Sequence, residues 1–231
     1  MNRLQSELSR LYLPPSSEQG EAKVRAMILE LAGPADWSEL SKVWRGVQAD
    51  LGLPAPAIAV SGIDGIQLRF SLQAPTGMAR AADFLLALRA HYLGGIASSR
   101  VRLQPSSTEE AFSMPPIPSQ SESAGNWSAF IAPDLVSVFV DTPWLDIEPS
   151  IEGQADLLSR LESITPTAFD AAMQRLSPAP ARVAPQAQTS SSPVGRASDV
   201  DPRQFLQQVL NDESADLALR IEAAKGLLRS S

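Results

Sequence analysis

The sequence predicts an α/β (α+β) fold, in which a small mixed sheet is flanked by helices. Apolar residues recur at helical spacing over residues 37–51 and alternate with polar residues over 66–72. A glycine-containing turn lies directly before that alternation, which is typical of a β-hairpin. The 231 residues, 44% hydrophobic and 19% charged, suffice for one sizeable domain with an appendage.

The first elements are a helix, a strand and a second helix. Residues 2–13 are amphipathic and precede two prolines, which predicts a short helix. The apolar stretch 22–31 is expected to be a buried strand, although a helix fits the same pattern. Asp36, with Glu39 three residues later, forms a predicted capping box for a helix over 37–51. Both tryptophans of this helix lie on its apolar face, so we assign them to the core.

Residues 57–72 are predicted to form the hairpin. A short strand over 57–60 leads through the turn 61–65 into a strand over 66–72. Gly62 and Gly65 are expected to adopt backbone conformations that other residues adopt only at a cost. The alternating apolar residues should face one core together; they are Ile66, Leu68, Phe70 and Leu72.

The rest of the main domain is less regular. A helix is predicted over 78–92 and a short strand over 100–103, followed by a Ser/Pro/Glu-rich loop over 105–126 that we expect to be exposed. Residues 127–140 are apolar but do not distinguish strand from helix. Two further helices are predicted, over 152–164 and over 166–176, the second capped by Thr165.

The composition divides the chain into three parts. Residues 1–176 form the predicted α/β domain, 177–200 a Pro/Ser-rich linker, and 201–231 a helical docking segment. About 30 residues bury too little surface to fold alone, so the apolar face must pack on the main domain, a second copy of the segment or a protein partner. We favour a partner or a second copy. The segment's docking residues are Phe205, Leu206, Val209, Leu210, Leu217, Ile221 and Leu228.

Charge and composition exclude several classes of function. Residues 1–176 contain 13 basic and 20 acidic side chains, which disfavours binding to nucleic-acid phosphates. There is no cysteine, no apolar run of about 18 residues and no leader-like start, so we expect a cytoplasmic protein without a membrane span.

The sequence assigns no catalytic residue, no cofactor and no metal. The single histidine, His91, is expected on the surface of a helix, and no nucleophile elbow or Walker motif is present. An alternative is a Mg²⁺ site that joins Glu30 to an acidic loop containing Asp141, Asp146 and Glu148. We favour the interpretation of that loop as a solvated surface.

One constellation resembles a known family. The run Ser61-Gly62-Ile63-Asp64-Gly65-Ile66-Gln67-Leu68-Arg69-Phe70 resembles the S-G-x-x-G-x-H hairpin of archaeo-eukaryotic-type primases and primase–polymerases. The preceding strand and helix occur in the matching order, and the resemblance covers about 80 residues. It implies a ligand-binding surface at Ser61, Gly62, Asp64, Gly65, Gln67 and Arg69.

Two departures from that family predict a degenerate site. Glu30 alone stands where a pair of metal-binding aspartates would, because the second position is Ala32. Gln67 replaces the family's histidine. Since two-metal catalysis needs several carboxylates, we expect a non-catalytic relative.

The tail carries a second resemblance. Residues 201–213 and 219–225 are similar to a segment of phage small-terminase-like proteins, which implies a helical pair used for association in a mobile element. The sequence thus predicts a non-enzymatic accessory protein of a bacterial plasmid, phage or integrative element, linked to DNA replication or transfer. A carboxylate- and Mg²⁺-dependent nucleotidyl-transfer enzyme and a plain protein–protein scaffold remain the alternatives.

Overall fold

The computed structural model describes residues 2–13, 23–106, 112–122 and 124–177. The predicted linker beyond Ser177, the predicted tail and its docking residues lie outside the described residues.

The predicted α/β class is confirmed. A five-stranded sheet has the strand order β4-β1-β3-β2-β5, and each of its four neighbouring pairs is antiparallel. The strands are β1 (Lys23–Ala32), β2 (Ala57–Val60), β3 (Gly65–Gly77), β4 (Val101–Gln104) and β5 (Ala129–Ile131).

Helices flank this sheet at the predicted places. They are α1 (Arg3–Tyr12), α2 (Trp37–Ala49), α3 (Met78–Tyr92), α4 (Ile151–Ser159) and α5 (Pro166–Leu176). The helix α4 is shorter than the predicted 152–164, and residues 127–140, left open by the sequence, form β5 and a 3-10 turn over Val136–Phe139. The described helices are all too short or too polar to cross a membrane.

Side-chain caps fix the starts of α2 and α5. The Asp36 carboxylate accepts a hydrogen bond from the Glu39 N–H, as predicted. The reciprocal half of the capping box was wrongly predicted, since the Glu39 carboxylate pairs with Lys42 instead. At α5 the Thr165 hydroxyl accepts from the Ala168 N–H, as predicted.

The hairpin register places the apolar residues of β3 on one face. Ile58 lies opposite Leu68 and Val60 opposite Ile66. This face packs against α2, α3 and α5 in the larger apolar core, where Leu40, Phe84 and Phe169 are buried. Trp37 and Trp44 are partly buried at its margin, with ring centroids 6.4 Å apart.

The opposite face of the sheet is also buried. A second apolar cluster covers it, drawn from α1, α4, β5 and the segment 112–118. The expectation that residues 105–126 form an exposed loop was therefore wrong for part of the segment: Ile117 is buried, and Phe112 and Met114 pack against this cluster. The polar residues that alternate along β3 consequently lie inside the protein.

Hydrogen bonds between the sheet and its covering helices hold this second layer in place. Arg25, at an irregularity in the β1–β3 register, donates hydrogen bonds to the carbonyl oxygens of Arg10 and Leu13 at the end of α1. On the far side, the Gln154 side chain of α4 exchanges two hydrogen bonds with the backbone of Phe130 in β5. This amide satisfies backbone groups at a strand edge that would otherwise be unpaired.

Candidate functional site

Sheet register brings the polar residues of three strands together. Glu30 of β1 lies opposite Gln67 of β3 on one side and opposite Arg102 of β4 on the other. Gln67 Nε2 donates to Glu30 Oε2 at 2.7 Å, and Arg102 Nη1 donates to Glu30 Oε1 at 2.6 Å. Both carboxylate oxygens of Glu30, a buried residue, are thus bound by protein groups.

Arg102 joins this carboxylate to the hairpin turn. Its guanidinium binds both oxygens of Asp64, with distances of 2.8 Å from Nη1 and 2.9 Å from Nη2. The hydrogen bond to Asp64 is the main cause that raises the pKa of Arg102, and Glu30 adds to it, so the side chain remains a cation. One arginine therefore pairs with two carboxylates.

The hairpin turn is closed on its own side chain. Ser61 Oγ accepts hydrogen bonds from the backbone N–H groups of Ile63, Asp64 and Gly65, at 3.0–3.2 Å. Consecutive N–H groups of this kind form an anion-binding cradle when they are open. Here the serine hydroxyl already occupies it.

The two turn glycines are required for different reasons. Gly62 has a φ of +81°, as expected for such a turn. Gly65 is not in the left-handed region, so the expectation of an unusual backbone conformation there was wrong. A Cβ at position 65 would instead lie 2.5 Å from Glu30 Oε1, so the strand needs glycine for space.

Arg69 is a buried cation further along the same face. The residue is 2% exposed; its Nε donates to Gln67 Oε1 at 2.9 Å and its Nη1 to the Pro115 carbonyl at 2.9 Å. The guanidinium also lies 5.9 Å from the centroid of the Phe130 ring. Burial lowers the pKa of Arg69 to about 10, which leaves it charged at neutral pH.

The other acidic candidates do not join this network. Asp141, Asp146 and Glu148 are exposed on the segment that follows the 3-10 turn. Within the part of the chain that the structure describes, no three acidic, histidine or cysteine residues form a group that could hold a metal ion. His91 is exposed at the end of α3 beside Tyr92, as predicted for a surface position.

The six sequence-predicted ligand-binding residues thus separate into two places. Ser61, Gly62, Asp64 and Gly65 form the turn, which Arg102 joins to Glu30. Gln67 then joins Glu30 to Arg69 in the protein interior. Sequence reasoning did not identify Arg102, although its place in a short strand with alternating polarity could have suggested that it faces Glu30.

Comparison with protein-family models and with curated proteins finds no match for the chain.

Proposed function

We propose that the chain is a cytoplasmic, non-catalytic accessory protein of a bacterial mobile genetic element, which acts by binding other proteins and is linked to DNA replication or transfer. The observation that carries this proposal is that both carboxylate oxygens of Glu30 are already bound by protein groups. In the primase-like interpretation Glu30 is the one carboxylate left on β1, and its two oxygens are bound by Gln67 and Arg102.

The covered sheet face supports the same conclusion. A nucleotidyl-transfer site must admit a nucleotide, a template and metal ions to its carboxylates. The face that bears Glu30, Gln67 and Arg69 is packed under α1, α4 and the segment 112–118, and Glu30 is 7% exposed. The described polar side chains on this face bind one another, and the Glu30 carboxylate is not accessible to a substrate or metal ion.

A surface suited to protein binding lies near the hairpin turn. We call residues 134–148 the acidic edge; the Gly62 N–H donates to the Pro143 carbonyl at 3.1 Å, which fixes this segment beside the turn. It exposes Leu135, Val138 and Ile147, and Ile63 of the turn is 63% exposed. Several exposed large apolar residues on one segment, and one on the turn that this segment contacts, favour an interaction surface.

The charge around those apolar residues indicates the class of partner. The sequence has no lysine or arginine between Leu103 and Ser159, while Asp134, Asp141, Asp146 and Glu148 are exposed on the acidic edge. A basic segment with apolar side chains complements such a surface, whereas a phosphate backbone is repelled by it.

The biological setting rests on the two sequence resemblances. The genes beside this one test it: replication, conjugation or packaging genes support a mobile element. A neighbourhood without them favours a plain scaffold with the same interaction surface.

Primer extension tests the absence of catalysis. With Mg²⁺ or Mn²⁺, a primed template and the four nucleotides, we expect no incorporation by the wild-type protein under conditions in which an active primase–polymerase extends the primer. Template-dependent incorporation that is lost in Glu30→Gln would overturn the proposal.

Substitutions on the acidic edge test the interaction. The tagged protein is isolated from its natural host after crosslinking, together with Val138→Glu, Ile147→Glu and the control Leu86→Glu, which changes an exposed leucine of α3. We expect a partner with a basic segment to be lost in the two edge variants and kept in the control. The same proteins recovered with all four would contradict a role for this surface.

A further inference from the structure

A cavity of about 180 Å³ opens beside the end of α1. Its walls include Leu8, Tyr12 and Leu13 from the α1 region and Met114 and Ile117 from the covering segment. Of the described residues that line it, Arg69 alone is charged. The cavity therefore combines an apolar wall with one buried cation.

Among the described residues, no carboxylate binds Arg69 directly. The described residues give its guanidinium two acceptors, the Gln67 amide oxygen and the Pro115 carbonyl, and both are neutral. Arg69 is linked to Glu30 only indirectly, through the Gln67 side chain. None of the described residues accepts a hydrogen bond from Arg69 Nη2. A buried cation gains most from an anion that binds it directly, because the low-dielectric surroundings strengthen the pair.

Tyr12 offers a second donor at the same place. It is 3% exposed, and none of the described residues forms a hydrogen bond with its hydroxyl. Burial raises the pKa of Tyr12 well above its usual value, while the nearby Arg69 cation opposes that change. The hydroxyl is thus protonated and available to donate at neutral pH.

These groups together define the chemistry of a ligand. We propose that the cavity binds a small monocarboxylate with an apolar tail, whose carboxylate accepts from Arg69 and Tyr12 and whose tail lies against Leu8, Leu13 and Ile117. A single negative charge matches a single guanidinium, whereas a phosphate dianion would leave a buried charge uncompensated. This site is separate from the acidic edge and does not depend on the proposed function.

Calorimetric titration with fatty acids of increasing length tests the proposal on the full chain. Octanoate should bind at least tenfold more tightly than 1-octanol, which has the tail without the charge. From butyrate to octanoate, each added methylene should strengthen binding by about fourfold until the cavity is filled, since burying one is worth about 0.8 kcal/mol. No octanoate binding, or equal binding of octanoate and 1-octanol, would mean that the cavity holds water or nonspecific apolar solutes and would overturn the proposal.

Variants locate the binding. Arg69→Gln should weaken octanoate at least tenfold and leave 1-octanol unchanged, and Tyr12→Phe should weaken octanoate severalfold. If Arg69→Gln does not fold, Leu8→Trp decides, because it fills the cavity from its half-exposed wall and should abolish binding while the protein stays folded. The matched control Leu86→Trp, on exposed α3 surface, should bind as the wild type does. Unchanged octanoate affinity in folded Arg69→Gln or in Leu8→Trp would refute the site.

Discussion

Glycine at position 65 allows β3 to pass directly against the Glu30 carboxylate. A Cβ built there would lie 2.5 Å from Oε1 and 2.8 Å from Cγ of Glu30. The same carboxylate is held by Gln67 and Arg102, so it cannot turn away without losing both hydrogen bonds. The requirement for glycine is therefore a consequence of the buried network and not of the turn.

Replacing this glycine should be costly. We expect Gly65→Ala to lower the free energy of unfolding by about 1–3 kcal/mol, because the new methyl group displaces a buried, hydrogen-bonded carboxylate. Urea denaturation measures the change. Gly95→Ala is the control, since no atom lies within 4 Å of a Cβ there, and it should change stability by less than about 0.5 kcal/mol. Equal effects of the two substitutions would contradict the close approach.

The ion pair between Glu30 and Arg102 should show measurable coupling. In a double-mutant cycle of Glu30→Gln and Arg102→Gln we expect about 0.5–2 kcal/mol, because one partner is buried and the other is half exposed. The exposed pair Glu39–Lys42 on α2 provides the reference and should give at most about 0.5 kcal/mol. A Glu30–Arg102 coupling no larger than this reference would remove the main support for a network closed on itself.

At the scale of residues, sequence reasoning named the residues that bond around Glu30 and the turn, except Arg102, but not the contacts between them. The turn chemistry indicated Ser61, Gly62 and Gly65, because serine and glycine at fixed offsets are local signals. The partners of Asp64 and Glu30 depended on β4, which pairs with β1 across about 70 residues of chain. The alternating polarity of its strand could suggest that Arg102 faces Glu30 but could not establish it, because neither composition nor periodicity gives strand order.

At the scale of elements, the N-cap of α2 has a stability that depends on pH. The Ser38 hydroxyl donates to the Asp36 carboxylate at 2.7 Å, and this hydrogen bond is the main cause that lowers the pKa of Asp36. A carboxyl whose pKa is lower in the folded state stabilises the fold above its unfolded pKa, near 3.9. That contribution is lost as the pH falls through the lower, folded value.

Substitutions at this cap separate hydrogen bonding from charge. Asp36→Ala should lower the free energy of unfolding by about 0.5–2 kcal/mol at pH 7, and Asp36→Asn by less, because the amide oxygen still caps the helix. The advantage of the wild type over Asp36→Asn should disappear as the pH falls below about 4. Denaturation at pH 7 and pH 3 measures both quantities. An advantage that persists undiminished at pH 3 would contradict a role for the ionised carboxylate.

Elements with strong periodicity were predicted well, and elements defined by tertiary contact were not. The helices α2 and α3 and the hairpin carry their signals within about 15 residues each. The segment 112–118 has no period, and its prolines indicated an exposed loop. It is buried in part because it covers a sheet face that α1 and α4 leave incomplete, and only the fold reveals that gap.

At the scale of the whole molecule, one sheet separates two cores of different character. The apolar residues of β3 face the larger core, while Gln67, Arg69 and Ser71 of the same strand face the smaller one. Strict alternation of this kind normally predicts a sheet with one solvated face. Here both faces are covered, and the buried polar residues require the internal hydrogen bonds described above.

The distribution of charge over the chain predicts that the protein does not bind nucleic acid. The formal net charge is −7, and the acidic edge lies in a stretch of sequence without lysine or arginine. The cations nearest the hairpin turn are already engaged, since Arg102 binds Asp64 and Glu30, and Arg100 donates to the carbonyl oxygens of Ala32 and Pro34. Near the hairpin turn, these two described arginines are therefore not free to displace counterions from a phosphate backbone.

We expect single- and double-stranded DNA to show no saturable binding at about 150 mM salt. Fluorescence anisotropy measures this with protein up to about 50 μM, since nonspecific binders reach micromolar dissociation constants. A variant with Asp141→Lys, Asp146→Lys and Glu148→Lys changes the charge of the acidic edge by six units and should acquire weak binding that falls steeply with added salt. This variant is the positive control, because it tests whether the assay detects an electrostatic contact. Micromolar binding by the wild type, with a salt dependence corresponding to several phosphates, would contradict the prediction and point to a basic surface elsewhere on the chain.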